Sequence, residues 1–104
     1  MLKNIFDYKA IKEKTDQIKS ELQEERLEAE SGGGMVKLEV DGLGNITKLE
    51  IEDDLFNEKD KELIEDLIIA AVNKSKEKLK ELWQKKFEEY IGDLPLPGLG
   101  DLLS

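Results

Sequence analysis

Between Asn73 and Lys86 the chain places six lysines, Lys74, Lys76, Lys78, Lys80, Lys85 and Lys86, against two acids, Glu77 and Glu81. A cationic run of that density suits one kind of chemistry, the neutralisation of phosphate oxygens with release of their counterions. At helical spacing Lys74, Lys78 and Lys85 share one flank, and Lys76 with Lys80 another. Should an earlier helix lie antiparallel beside this one, Lys9, Lys12 and Lys19 join them. The run stands out because the 104-residue chain carries 25 acidic against 16 basic residues, a net charge of −9. A plainer reading competes: a solvated helix face whose Glu–Lys neighbours contribute about 0.2–0.5 kcal/mol per pair. Residue types alone leave both open.

Other candidate chemistries fall on spacing. Gly32-Gly33-Gly34 could cradle a phosphate, but such loops join a strand to a helix N-terminus, and here helical sequence precedes and a strand follows. The run reads as a hinge or helix stop. Asp53, Asp54, Asn57, Glu58 and Asp60 lack the alternation, glycine and closing glutamate of a calcium loop, and read as an acidic turn with a helix cap. Trp83, Phe87 and Tyr90 could stack on bases, yet beside Leu79 and Leu82 they form a helical apolar stripe that packs. Cysteine and histidine are both absent, which removes thiol nucleophiles, disulfides, the commonest metal ligands and the usual acid–base side chain. No enzyme, cofactor, metal or small-molecule substrate is expected.

The longest apolar run, Leu67 to Val72, is six residues, far short of the roughly 20 that span a membrane. Met1 to Asp7 leads into charged sequence with no apolar signal-peptide core. A soluble, cytoplasmic protein without a membrane partner is expected.

The elements that carry the lysines follow from periodicity. Residues 4 to about 30 read as a charged helix with a thin seam at Tyr8, Ile11, Thr15, Ile18, Leu22, Glu25 and Ala29. Alternation then marks a hairpin over about 35–41 and 46–52, with Val36, Leu38, Val40, Leu49 and Ile51 on its dry face. Leu55 and Phe56 are expected to tuck inward, and Asn57 or Asp60 to cap a helix over about 58–90. That helix is apolar nearly all round from Leu63 to Val72. The Pro/Gly segment 92–104 reads as a flexible tail beyond a single domain of residues 1–91.

At 1.5 Å per residue the helices measure roughly 40 and 48 Å. A compact chain of this size has a radius of gyration of about 13 Å. Helices that long must protrude, and a two-stranded hairpin is marginal alone. A homodimer with helical arms answers both, with Val36, Leu38, Val40, Leu49, Ile51, Leu67, Ile68 and Ala71 at its interface.

The ordered series Gly32 to Gly42, Leu49-Glu50-Ile51, Leu55, and Leu63 to Asn73 resembles the YbaB/EbfC family of bacterial nucleoid-associated DNA-binding proteins. Coverage is nearly the whole chain, and Pro97-Gly98-Leu99 also fits. The resemblance implies an α+β fold, an α-β-β-α chain with a small antiparallel sheet and two long helices. It also implies an intertwined homodimer with protruding arms that binds duplex DNA and helps organise the nucleoid, and a role in gene regulation is expected with it; few phosphate contacts and no basic recognition helix predict weak sequence preference. On this reading the protein is nucleoid-associated, and the lysine flanks become its DNA contacts. The alternative is a dimeric helical protein-interaction module that binds no DNA.

Overall fold

The computed structural model describes residues 8–57 and 60–92, with side chains over 8–57 and 60–90. The expected helix start at residue 4, Glu58, and the tail beyond Gly92 lie outside the described residues. Helix α1 spans Tyr8–Glu24, strand β1 Arg26–Ser31, β2 Val36–Asp41 and β3 Ile46–Ile51. A short helix α2 (Asp53–Asn57) and the 32-residue α3 (Lys61–Gly92) complete the order. The sheet is antiparallel, β1-β2-β3, with β2 central. The architecture is α+β.

One strand was hidden inside an expected helix. Arg, Leu, Glu and Ala are good helix formers, so 25–30 reads as a continuation of α1. Instead Arg26-Leu27-Glu28-Ala29-Glu30-Ser31 pairs along its whole length with β2, from Arg26 opposite Asp41 to Ser31 opposite Val36. Alternation makes this possible, since Leu27, Ala29 and Ser31 share the inner face and charged residues the outer. The hairpin is therefore a three-stranded meander. Helix α1 stops at Glu24, where the Arg26 guanidinium donates to the carbonyls of Gln23 (2.7 Å) and Glu25 (2.8 Å). The three glycines stop no helix; they turn β1 into β2, all at positive φ (61°, 68° and 92°).

Residues opposite one another in an antiparallel sheet share a face, so the register defines three inner rows: Ala29–Leu38–Leu49, Ser31–Val36–Ile51 and Leu27–Val40–Ile46. Helix α3 lies over β1 and β2. Ser31 Oγ donates to the Leu67 carbonyl at 2.6 Å, fixing one end of that packing. Val36, Leu38, Val40, Leu55, Ala71 and Leu79 form the buried cluster, with Leu63, Ile64, Leu67, Ile68 and Val72 packed around it.

That cluster takes up most of the residues expected at the dimer interface. Val36, Leu38, Val40 and Ala71 are buried within their own chain. Leu67, Ile68 and Ile51 are half-buried against the same cluster, and only Leu49 is exposed. Burial ends abruptly across the last strand. Exposure rises from 2% at Leu38 to 46% at Leu49, and from 1% at Val40 to 56% at Ile46.

Phe56 corrects a second expectation. Leu55 is buried but Phe56 is exposed, because α2 is a helical turn that sets neighbours about 100° apart. Asp60 caps α3, its Oδ1 accepting from the Leu63 amide at 3.0 Å.

Candidate nucleic-acid interface

The molecule measures 66 × 29 × 17 Å with a radius of gyration of 19.2 Å, well beyond the about 13 Å of a compact chain this size. The length comes from α3, roughly 48 Å from end to end, whose far half runs antiparallel to α1. Tyr90 donates its hydroxyl to Glu21 Oε2 at 2.9 Å, and Lys14 Nζ stands 5.4 Å from the Tyr90 ring centroid. The Glu21 carboxylate, by accepting that bond, raises the Tyr90 pKa. Lys86 Nζ lies 3.9 Å from Glu25 and 4.0 Å from Glu89.

At the base of the arm, Gly42 is held from both sides. Its amide donates to the Leu22 carbonyl at 2.8 Å, and its carbonyl accepts from the Trp83 indole at 2.6 Å. A Cβ here would overlap the Leu22 carbonyl oxygen and stand 3.0 Å from its carbon. Trp83 therefore ties the arm to the sheet, and its N–H is committed. Phe87, expected to pack, stays exposed.

The lysines separate by what they face. Lys74 Nζ donates to the Glu30 carbonyl at 3.0 Å, and Lys78 Nζ to the Glu28 carbonyl. Both carbonyls belong to β1, an outer strand of the sheet. Four residues of helix rise about 6.0 Å and two of strand about 6.6 Å, so the spacings match. These two cations close the edge of β1, a common device against stray strand pairing. Lys86 is occupied by its two carboxylates.

Lys76 and Lys80 stand about 200° around α3 from Lys74 and Lys78 respectively. They share that flank with the exposed Ile69 and Phe87. Lys85 lies on the Lys78 flank, beyond the end of β1. On α1, Lys12 and Lys19 each lie about 200° from Lys14 and Glu21, and so turn away from Tyr90. Among the described residues, Lys12, Lys19, Lys76, Lys80 and Lys85 are exposed and make no hydrogen bond or ion pair. Lys9 is exposed and has a partner.

The outer face of the sheet cannot serve a phosphate equally well. Its shallow depression, about 490 Å³, sets Glu28, Glu30, Glu39 and Glu50 against Lys37, Lys48 and Lys78. Among the described residues no three acidic groups are arranged to hold a metal ion, and no helix is long and apolar enough to cross a membrane.

Sequence reasoning missed β1, the Gly42 clamp and the division of the lysines. Period-two alternation over 26–31 was the available signal for the first. The other two depend on how strands and helix are laid together, and no local pattern announces them.

A family model described as the YbaB/EbfC DNA-binding family matches residues 1–94. A nucleoid-associated protein of Sulfurihydrogenibium is 42% identical over 87 residues, covering 84% of this chain and 78% of that protein. Another from Persephonella marina is 39% identical over 92 residues, covering 86% and 83%. One from Rhizobium meliloti is 34% identical over 89 residues, again covering 86% and 83%. Among solved structures, an uncharacterized protein from Helicobacter pylori superposes with a TM-score of 0.74 at 26% identity, over 86% of this chain and 92% of that one.

Proposed function

The chain belongs to the YbaB/EbfC DNA-binding family, and on that premise we propose that it is a nucleoid-associated protein that binds duplex DNA as a homodimer. The reading is carried by one observation. A chain of net charge −9 keeps, among the described residues, five exposed lysines without partners along its two long helices, Lys12, Lys19, Lys76, Lys80 and Lys85. Lys74, Lys78 and Lys86 have intrachain partners and contribute less. The acidic sheet face keeps DNA off the body, so the arms meet it. Few phosphate contacts and no recognition helix give moderate affinity and weak sequence preference. Binding of this kind, without turnover, would serve nucleoid organisation and gene regulation in the cytoplasm.

The dimer is supported by the uncovered ends of two of the inner rows and by exposed apolar side chains on the helices. Ile46 and Leu49 on the sheet, Phe56 on α2 and Ile69 on α3 are exposed apolar side chains. Covering them returns about 25 cal/mol per Å² of apolar surface.

A gel shift with purified protein and a mixed-sequence duplex, run at low and at raised salt, tests the reading. Binding at low salt that weakens with added salt is expected. No binding at low salt, or salt-indifferent binding, removes it and leaves the interaction-module alternative.

A further inference from the structure

We infer that the partner in this dimer is a second copy added edge to edge at β3, with Leu49 on the two-fold axis and Lys48 of each chain opposite Glu50 of the other. This rests on the dimer reading above and adds its register.

The two outer strands of the sheet are treated differently. β1 has its carbonyls occupied by Lys74 and Lys78, whereas no described residue donates to or accepts from the outer side of β3. The Glu52 amide donates inward to the Met35 carbonyl. In an antiparallel ladder the orientation alternates, so Glu50 and Lys48 also bond inward and Leu49 and Ile51 point their amides and carbonyls away from β2. Those groups are ready to receive a strand.

Charge then selects the strand and its alignment. On the outer face, one cross-strand row runs Glu30–Lys37–Glu50 and the next Glu28–Glu39–Lys48. They end at β3 with opposite signs. Two antiparallel copies centred on Leu49 join each row to the other's end, so Lys48 meets Glu50 twice. Sliding the pair by one residue on each chain puts Lys48 against Lys48 or Glu50 against Glu50, which like-charge repulsion disfavours. Sliding one chain alone by a single residue turns apolar residues to the wet face. The register shift at Glu39/Val40, which leaves Thr47 without a cross-strand partner, ends the regular edge and confines pairing to the residues after it. The two-fold axis stands normal to the sheet, so both α3 helices remain on one face. Leu49 then packs against its counterpart, where one chain alone leaves it bare.

Single charge reversals test this. Lys48→Glu and Glu50→Lys each break the intrachain Lys48–Glu50 pair, 2.9 Å in the structure, and each makes its own homodimer repulsive. Mixed together, the two variants pair opposite charges at both contacts. Sedimentation at micromolar concentration should show each variant alone weakened about tenfold in self-association, and the mixture restored. An intrachain role cannot produce that restoration. A wild-type dimer whose variants associate no better mixed than alone overturns the register.

Leu49→Cys is a second measurement, because the chain has no other cysteine. Oxidation should yield a covalent dimer, while Glu28→Cys on the closed edge forms no covalent cross-link. A sedimenting dimer of Leu49→Cys that forms no cross-link also overturns the register. A wild-type monomer would instead remove the dimer reading itself.

Discussion

The indole N–H of Trp83 reaches the carbonyl of Gly42 at 2.6 Å, joining the middle of a long helix to the tip of a strand turn. Gly42 in turn gives its amide to Leu22 at the end of α1. Three elements distant in sequence thus meet through one residue without a side chain. Its φ lies outside the left-handed region, so the need for glycine is the close approach of the Leu22 backbone.

Gly42→Ala should therefore force α1 away from the turn. We expect a loss of about 1–3 kcal/mol, the usual range for overpacking, read as a lower urea midpoint. Trp83 emission should shift to the red as its bond loosens. An unchanged midpoint would contradict the clamp.

Asp41 organises the β2–β3 turn, its Oδ1 accepting from the amides of Leu43 (2.9 Å) and Asn45 (3.0 Å) and its Oδ2 from the Asn45 side chain (3.0 Å). The side-chain bond from Asn45, above all, holds its pKa below the ordinary carboxylate value. A carboxylate depressed on folding adds stability that is complete above its unfolded pKa, about 3.9, and fades as pH falls through the lower folded value. The stability difference between the native protein and Asp41→Ala should hold steady from neutrality to about pH 5 and shrink below about pH 4. Urea denaturation across that range checks it.

Lys76 and Lys80 are exposed and unpartnered. Reversing both to glutamate should weaken duplex binding at least tenfold and flatten the dependence of log affinity on log salt by about 0.9 for each phosphate that is no longer neutralised. Thermal stability should hardly change, since neither holds another group. Fluorescence anisotropy at three salt concentrations reads both quantities.

Lys74 and Lys78 should behave in the opposite way. Replacing both with alanine uncovers the Glu30 and Glu28 carbonyls, costing up to about 1 kcal/mol for each bond. It also opens the β1 edge to foreign strands. Reduced stability and faster aggregation are expected, with a smaller effect on DNA than the Lys76/Lys80 pair. Light scattering during mild heating distinguishes the two pairs.

Much of the architecture is legible in residue order. Val36, Leu38 and Val40 alternate strongly enough to mark β2, and the apolar run Leu63 to Val72 marks the part of α3 that packs on the sheet, although Ile69 within it stays exposed. The long reach of α3 follows from its length. The lysine cluster on that helix is equally plain, as is the absence of histidine and cysteine.

Arg26 to Ser31 misleads because its residues favour a helix locally, and only the waiting edge of β2 makes the strand the better state. Local propensity is worth tenths of a kcal/mol per residue, and a full ladder with a buried face outweighs it. The same limit applies to the lysines. Residue types set their charge and their angular positions on α3, but Lys78 and Lys80 differ in role because β1 passes beside one flank and not the other. Charge is a property of the side chain; availability depends on which backbone lies within its reach, and folding alone determines that.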